Sequence, residues 1–260
     1  LKRLAIAFAL LAMASFCLGP FLWQLAVSLT SESGAFTLHN YASIFEGRPF
    51  GQVILNSFIV AGATTLFCLA LGASAAFALA KLSFVGGRLL LAAALAVSMF
   101  PPVATVSPLF LILRGLGLID QLAGLVLPYT TFALPLTIWV LTSFFRQIPD
   151  DLYAAARVDG CSPFQAFRKI FLPLSAPGLA TTAILVFIFA WNEFLYALTF
   201  ISSPGRRTIP VAISLFATGQ IDPWPEIFAA SVVATLPLIL LTLVFQRRIV
   251  SGLTAGAIKG

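Results

Sequence analysis

Six long runs of predominantly apolar residues constrain this chain more than any other feature. They are roughly Leu4–Leu29, Val53–Ala80, Leu89–Leu113, Leu122–Phe145, Leu179–Ile201 and Ile227–Phe245. A helix needs about 20 such residues to cross the hydrocarbon core of a bilayer. The runs are too long for strands and lack the period-two alternation of a membrane barrel, so helices are expected. Composition points the same way. Only 9% of the 260 residues are charged and the mean hydropathy is +1.03, whereas soluble domains carry about 25% charged residues. So few charges cannot cover a soluble globule, but lipid solvates an apolar exterior. The expected fold is all-α: a polytopic membrane protein with six transmembrane helices in one domain, 1–260. The first run is longer than the core of a secretory signal and no clear cleavage site follows it, so a retained helix is expected. The chain opens at Leu1 rather than Met, and a short preceding piece is expected to be missing.

Basic residues orient such a bundle. With the N-terminus in the cytoplasm, that side holds Lys2, Arg3, Lys81, Arg88, Arg146, Arg157, Arg168, Lys169, Arg247, Arg248 and Lys259. The other side holds only Arg48, Arg114, Arg206 and Arg207. Both termini are therefore expected inside. The net charge of +6 follows from flanks facing anionic lipid and calls for no nucleic-acid partner. Cys17, Cys68 and Cys161 form no disulfide or metal pattern, and the lone His39 cannot build a metal site.

Within the second run, Gly72, Ala76 and Ala80 recur every four residues. That is a ladder suited to close helix contact, or simply alanine-rich composition. Pro101, Pro102, Pro108, Pro128, Pro135 and Pro237 fall inside runs, where each favours a kink.

The fourth and fifth runs are joined by a loop over 146–178, reading DDLYAAARVDGCSPFQAFRKIFLPLSAP from Asp150 to Pro177. Its signals are dense. Pro149 is expected at the first position of a helix, with Asp150 and Asp151 in the first turn. Leu152, Ala155, Ala156 and Asp159 are expected on one face, and Gly160 stops the helix. Ser162, Pro163 and Gln165 then spell a second helix start with a capping box. Phe164, Phe167 and Phe171 line one stripe with Arg168 and Lys169 beside it, and Pro173 and Pro177 end the element. Two short helices with a bend at Gly160 are expected, presenting aromatic side chains and positive charge. Two readings fit them: an amphipathic ligand for a groove on a partner protein, or an interfacial helix on lipid headgroups.

The loop resembles the motif of bacterial ABC importer permeases, written Glu-Ala-Ala, three residues, Gly, nine residues, Ile, one residue, Leu-Pro. Ala155, Ala156, Gly160, Ile170, Leu172 and Pro173 match it, and Asp159 gives the Asp-Gly pair common in the family. Ala154 stands where the family has its glutamate. Asp151, or Arg157 and Arg168, are the alternatives for that contact. The segments NSFIVAGATTLFCLALGASAAFALAKLSF, FIFAWNEFLYAL and QRRIVSGLTAGAIKG are similar to sugar-importer permeases of the maltose and trehalose type, the last to the smaller of their two permeases. The resemblance implies a sugar permease in the bacterial cytoplasmic membrane. Its implied partners are a second homologous permease, two ATP-binding subunits, an extracytoplasmic sugar-binding protein and membrane lipid. ATP and Mg would sit on the partner subunits. It implies mechanical coupling through Asp151, Ala154–Ala156, Asp159, Gly160, Phe164, Phe167, Arg168, Ile170, Leu172 and Pro173, and no catalytic residue in this chain. The substrate implied is an oligosaccharide, α-glucoside or related osmolyte.

One observation on the residues stands apart from the resemblance. None of Lys2, Lys81, Lys169 and Lys259 is followed by Ser or Thr. A phosphate-binding Walker loop cannot be written here, and ATP must be bound by other chains. Trp191, Asn192, Glu193 and Tyr196 are expected mid-helix in the fifth span, with Asn56 at the start of the second. They line a substrate path or form a buried polar packing cluster, both being compatible with an acid inside a span. Among the rival classes, a secondary transporter would call for an inverted repeat. An intramembrane enzyme would call for paired catalytic groups. An assembly protein would leave the loop unexplained.

Overall fold

A computed structural model describes residues 2–31, 33–46, 49–82, 86–216 and 223–255, without the side chains of 247–255. In chain order the helices are α1 (Lys2–Ser28), α2 (His39–Ser43), α3 (Phe50–Lys81), α4 (Gly87–Ser98), α5 (Pro102–Gly115), α6 (Leu122–Gln147) and α7 (Asp150–Val158). There follow α8 (Pro163–Ala166), a π-helical turn (Phe167–Phe171), α9 (Leu172–Leu174), α10 (Ala176–Trp191), α11 (Leu195–Phe200), α12 (Ile209–Ser214) and α13 (Trp224–Ala255). Of the C-terminal segment QRRIVSGLTAGAIKG, only the Gln246 side chain lies among the described residues.

Helices α1, α3, α6 and α13 are each long and apolar enough to cross a bilayer unbroken. Two bent helix pairs are each apolar and long enough together to make a further span. One joins α4 to α5 at 93°, and the other joins residues 163–174 to α10 at 78°. The chain thus carries up to six spans, as its six runs lead one to expect.

The hub is α3, which packs along α6 and α10. The small residues of α3 permit this. A β-carbon on Gly72 would fall 2.4 Å from Thr137 Cγ2, and Ala76 is fully buried. The ladder is therefore a packing seam and more than composition. On α10, Gly178 lies so close to the Phe144 ring that a β-carbon would meet it at 2.5 Å. Outward-facing Leu4, Phe8, Phe16 and Trp23 leave α1 with nothing but Ser28 buried. Such a surface suits lipid, since α1 packs mainly on α13.

Two runs read as single helices are broken. The third is interrupted between Ser98 and Pro102, where Pro101 and Pro102 offer no amide to continue the ladder. By contrast α6 runs through Pro128 and Pro135, α5 through Pro108 and α13 through Pro237. The fifth run stops at Trp191 and resumes at Leu195, so Asn192 and Glu193 are not mid-helix.

Candidate functional site: the loop 146–178 and the helix break at Asn192

After α6 the chain turns extended at Ile148 and Pro149 and enters α7. Pro149 is the residue before the helix and not its first position, while Asp150 and Asp151 do occupy the first turn. Gly160 adopts φ +81°, a left-handed conformation that costs an L-residue about 1–2 kcal/mol. The Cys161 amide returns to the Ala156 carbonyl at 2.9 Å, closing the helix end. The Arg157 guanidinium donates to the Cys161 carbonyl at 2.6 Å and braces the same turn.

The second helix starts as its sequence spells. The Gln165 amide donates to Ser162 Oγ at 3.2 Å, and the Ser162 amide donates to Gln165 Oε1 at 2.8 Å. It then departs from expectation. Pro173 and Pro177 do not end the element, because each sits in the first turn of a new helical piece. Helix α8 widens into the π-turn, tightens again as α9, and bends only at Ser175.

The expected faces are also redistributed. On α7 only Ala156 is buried, while Leu152, Ala154, Ala155, Val158 and Asp159 are exposed. In the second helix Phe164 is 67% exposed, but Phe171 is fully buried and Phe167 half-buried. The widened turn carries Phe167 and Phe171 inward against Phe77 of α3, each with ring centroids 5.2 Å away. Phe145 and Tyr153 complete this socket at 6.0 Å from Phe77. Ile170 and Leu172 pack on its edge. Inward aromatic anchors therefore leave Phe164, Arg168, Lys169 and the outer face of α7 free.

The sequence marks Lys81 only as an orienting charge, and the structure gives it a second place. Its side chain is 1% exposed, and its ammonium pairs with Asp150 and donates to the Ile148 carbonyl. It also lies 5.6 Å from the centre of the Phe171 ring. A lysine ending an apolar run gives no hint of this, because Ile148 and Asp150 lie about 70 residues ahead in the sequence and Phe171 further still.

The second candidate cluster is divided by the break after α10. Trp191 is 2% exposed, its indole donating to the Ala234 carbonyl of α13 at 3.2 Å. Asn192 is exposed and donates back to Ile188. The Glu193 carboxylate accepts the amides of Tyr196 at 2.9 Å and Ala197 at 3.2 Å, capping α11. The buried Tyr129 hydroxyl lies beside that carboxylate without reaching a well-formed hydrogen bond. The Tyr196 hydroxyl meets Thr105 Oγ at 2.7 Å and the Pro102 carbonyl at 3.3 Å, tying this break to the α4–α5 bend. Thr105 and Phe132, both against Tyr196, line a cavity of about 260 Å³. Glu193, Tyr196 and Tyr129 are thus brought together at two broken helices.

Asn56 is elsewhere. It is 1% exposed and donates to the carbonyls of Gly205 and Arg207 at 2.9 and 3.0 Å, fastening α3 to the loop before α12. Asp120 fastens the same loop from the α5–α6 side. It accepts the amides of Ser202 and Ser203 at 3.0 and 2.9 Å and the Ser203 hydroxyl, and Arg206 lies beside it. The Ser203 hydroxyl and amide, then Ser202 and Arg206, hold its carboxyl below the ordinary carboxylate range.

Known proteins resemble this chain throughout. It is 47% identical to the trehalose transport system permease protein SugB of Mycobacterium tuberculosis, over all of this chain and 96% of that one. It is 41% identical to the trehalose/maltose transport system permease protein MalG of Thermococcus litoralis, over all of this chain and 98% of that one. It is 43% identical to the sulfoquinovosyl glycerol transport system permease protein SmoH of Agrobacterium fabrum, over 93% and 88%. The fold matches a crystal structure of a bacterial ABC transporter for the import of alginate. There the TM-score is 0.78 at 23% identity, over 95% of this chain and 96% of that one. Residues 68–254, spanning α3 to α13 and both candidate sites, match a single family. This chain belongs to the family of binding-protein-dependent transport system inner membrane components.

Proposed function

We propose that this chain is the membrane-spanning permease subunit of an ATP-driven sugar importer in a bacterial cytoplasmic membrane, with both termini and the loop 146–178 in the cytoplasm. The observation that carries the reading is the two-sided loop. Its inner face is anchored in the Phe77 socket, while its outer face is a capped, sharply bent helix pair with no partner among the described residues. An element held rigidly from behind and bare in front is built to receive force from another protein. The partners it fits are two ATP-binding subunits, which carry ATP and Mg and perform the hydrolysis. This chain contributes no catalytic group. A second homologous permease and an extracytoplasmic sugar-binding protein complete the assembly. When the ATP-binding subunits close, they move α7, and the spanning helices follow as near-rigid bodies.

Ala154 is exposed and leaves the usual acidic contact unfilled. Arg157 is occupied by the Cys161 carbonyl, so Asp151 and Arg168, both exposed, are the charges that take over. Glu193 and Tyr196 line the sugar path at the two broken helices, with Asn192 at its edge and Trp191 supporting it from behind, while Asn56 holds α3 to the loop before α12. The cargo is an α-glucoside, oligosaccharide or related osmolyte, in keeping with the trehalose and maltose permeases among its relatives.

The test is reconstitution. The chain is co-expressed with a candidate second permease and candidate ATP-binding subunits from the same organism, purified and placed in proteoliposomes with the binding protein. ATP-dependent uptake of a radiolabelled α-glucoside is expected. A chain that purifies without any ATP-binding subunit, or that takes up solute on an ion gradient alone, would overturn the reading.

A further inference from the structure

We propose that Lys81 is a positioning residue for transport: the joint through which movement of α7 is passed to α3. The inference rests on the importer reading above and adds to it a route inside this chain. The geometry carries it. Lys81 ends α3, the helix against which α6 and α10 pack. Its ammonium reaches across to the segment that launches α7. It donates to the carbonyl of Ile148, the residue that terminates α6, and pairs with Asp150, the first residue of α7. The Phe171 ring covers it at 5.6 Å, on the π-turn of the second loop helix. One side chain thus holds together α3, the end of α6, the start of α7 and the π-turn.

An ammonium has three protons to place, and burial makes an unplaced one costly. Here the side chain is 1% exposed, so the charge is bound to its partners and not shared with water. Asp150, by contrast, is 88% exposed. It is anchored at one oxygen and otherwise free, as a group at a moving boundary would be. A displacement of α7 must either drag Lys81 or leave its buried ammonium without a partner. The second is expensive, so the end of α3 follows. The Phe77 socket, which includes Tyr153 of α7, resists both compression and withdrawal, but apolar contacts are non-directional and leave α7 able to slide or turn against α3. The ion pair fixes the direction of the linkage.

The experiment uses the assembled transporter in proteoliposomes and reads the ratio of ATP hydrolysis with and without sugar-loaded binding protein. Lys81→Met keeps the aliphatic length and removes the charge. Its stimulation ratio is expected to fall about fivefold or more while the ATP-binding subunits still co-purify. Lys81→Arg, which restores a cation to the same partners, is expected to recover most of the ratio. Asp150→Asn, which keeps an oxygen to accept from Lys81 and removes only the charge, is expected to lower it by a smaller factor. If Lys81→Met fails to accumulate, Asp150→Asn decides. An unchanged ratio in both substitutions, or in Asp150→Asn alone if it is the sole survivor, would overturn the proposal. So would loss of the ATP-binding subunits from Lys81→Met, which would make Lys81 a docking determinant. A wild-type chain with no associated ATP-binding subunit would instead defeat the importer reading itself.

Discussion

Gly160 offers the sharpest test of whether the bend in the loop is a mechanical part. Its φ of +81° is open to glycine and penalised in other residues. A β-carbon built there meets nothing within 4 Å, so the chain itself raises no steric objection. The cost of Gly160→Ala is then conformational alone, about 1–2 kcal/mol. That corresponds to a factor of about 5–30 in the balance between the bent pair and any relaxed arrangement. Asn tolerates the left-handed region far better than Ala, and a β-branched residue far worse. The expected order of function is therefore Gly, Asn, Ala, Val. The assay is ATP hydrolysis stimulated by sugar-loaded binding protein in proteoliposomes, with co-purification of the ATP-binding subunits as a control for assembly. A valine variant that matches the wild type would refute the claim that the bend must be held. An asparagine variant as impaired as valine would refute the conformational reasoning in another way. It would mean that a partner surface occupies the open space beside Gly160 and that side-chain size, not backbone strain, is limiting.

Three further outcomes follow from the packing and the polar clusters. Gly72→Ala drives a methyl group into Thr137 and should destabilise the α3–α6 seam by about 1–3 kcal/mol, read as a lower Tm in detergent. Thr137→Ser deletes the offending Cγ2 and keeps a hydroxyl for the Ala133 carbonyl, so the double variant should be more stable than Gly72→Ala alone. Glu193→Ala leaves the Tyr196 and Ala197 amides uncapped and should cost about 0.5–2 kcal/mol in thermal stability. It should also lower sugar uptake, and unchanged uptake with an unchanged substrate profile would remove Glu193 from the path. Asp120 has a lowered folded pKa, so its contribution is fully present above the unfolded value of about 3.9 and is lost as pH falls through the folded value. Thermal scans from neutral to strongly acidic pH should show that loss in the wild type, and Asp120→Asn should show a shallower acid limb.

Local rules made much of this molecule readable before its structure. The Ser162–Gln165 capping box and the Gly160 turn each depend on neighbours within a few residues, and each formed as its spacing predicts. What was not legible depends on distant partners. Nothing near Lys81 foretells Ile148, Asp150 and Phe171. Nothing near Asp120 foretells Ser202 and Ser203, and its φ of +57° is held by those contacts. The helix break at Asn192 was hidden for a related reason. Glu193 reads as a polar residue within an apolar run, and only its capping of α11 turns it into a helix start. Proline gave a mixed signal, because the tandem pair Pro101–Pro102 ended a helix while Pro128 and Pro135, each alone, were absorbed within α6. The stripe of Phe164, Phe167 and Phe171 was drawn with an α-helical period, and the π-turn changed that period part-way along it.

That turn bears on how the segment can vary through descent. A π-turn holds one residue more than an α-turn, and each residue advances an α-helix by about 100°. Deleting one residue from Phe167–Phe171 would let the turn close to α geometry. The same rotation would then be made with one residue fewer, so the direction in which the chain enters α10 would be kept. Most surface loops absorb insertions and deletions cheaply. This one can do so at one place: the π-turn absorbs a single residue while the azimuth between the bare face of α7 and the wall of α10 is kept. Homologous chains should therefore exchange side chains freely on the exposed face of this loop, and a one-residue difference in its length should fall within Phe167–Phe171.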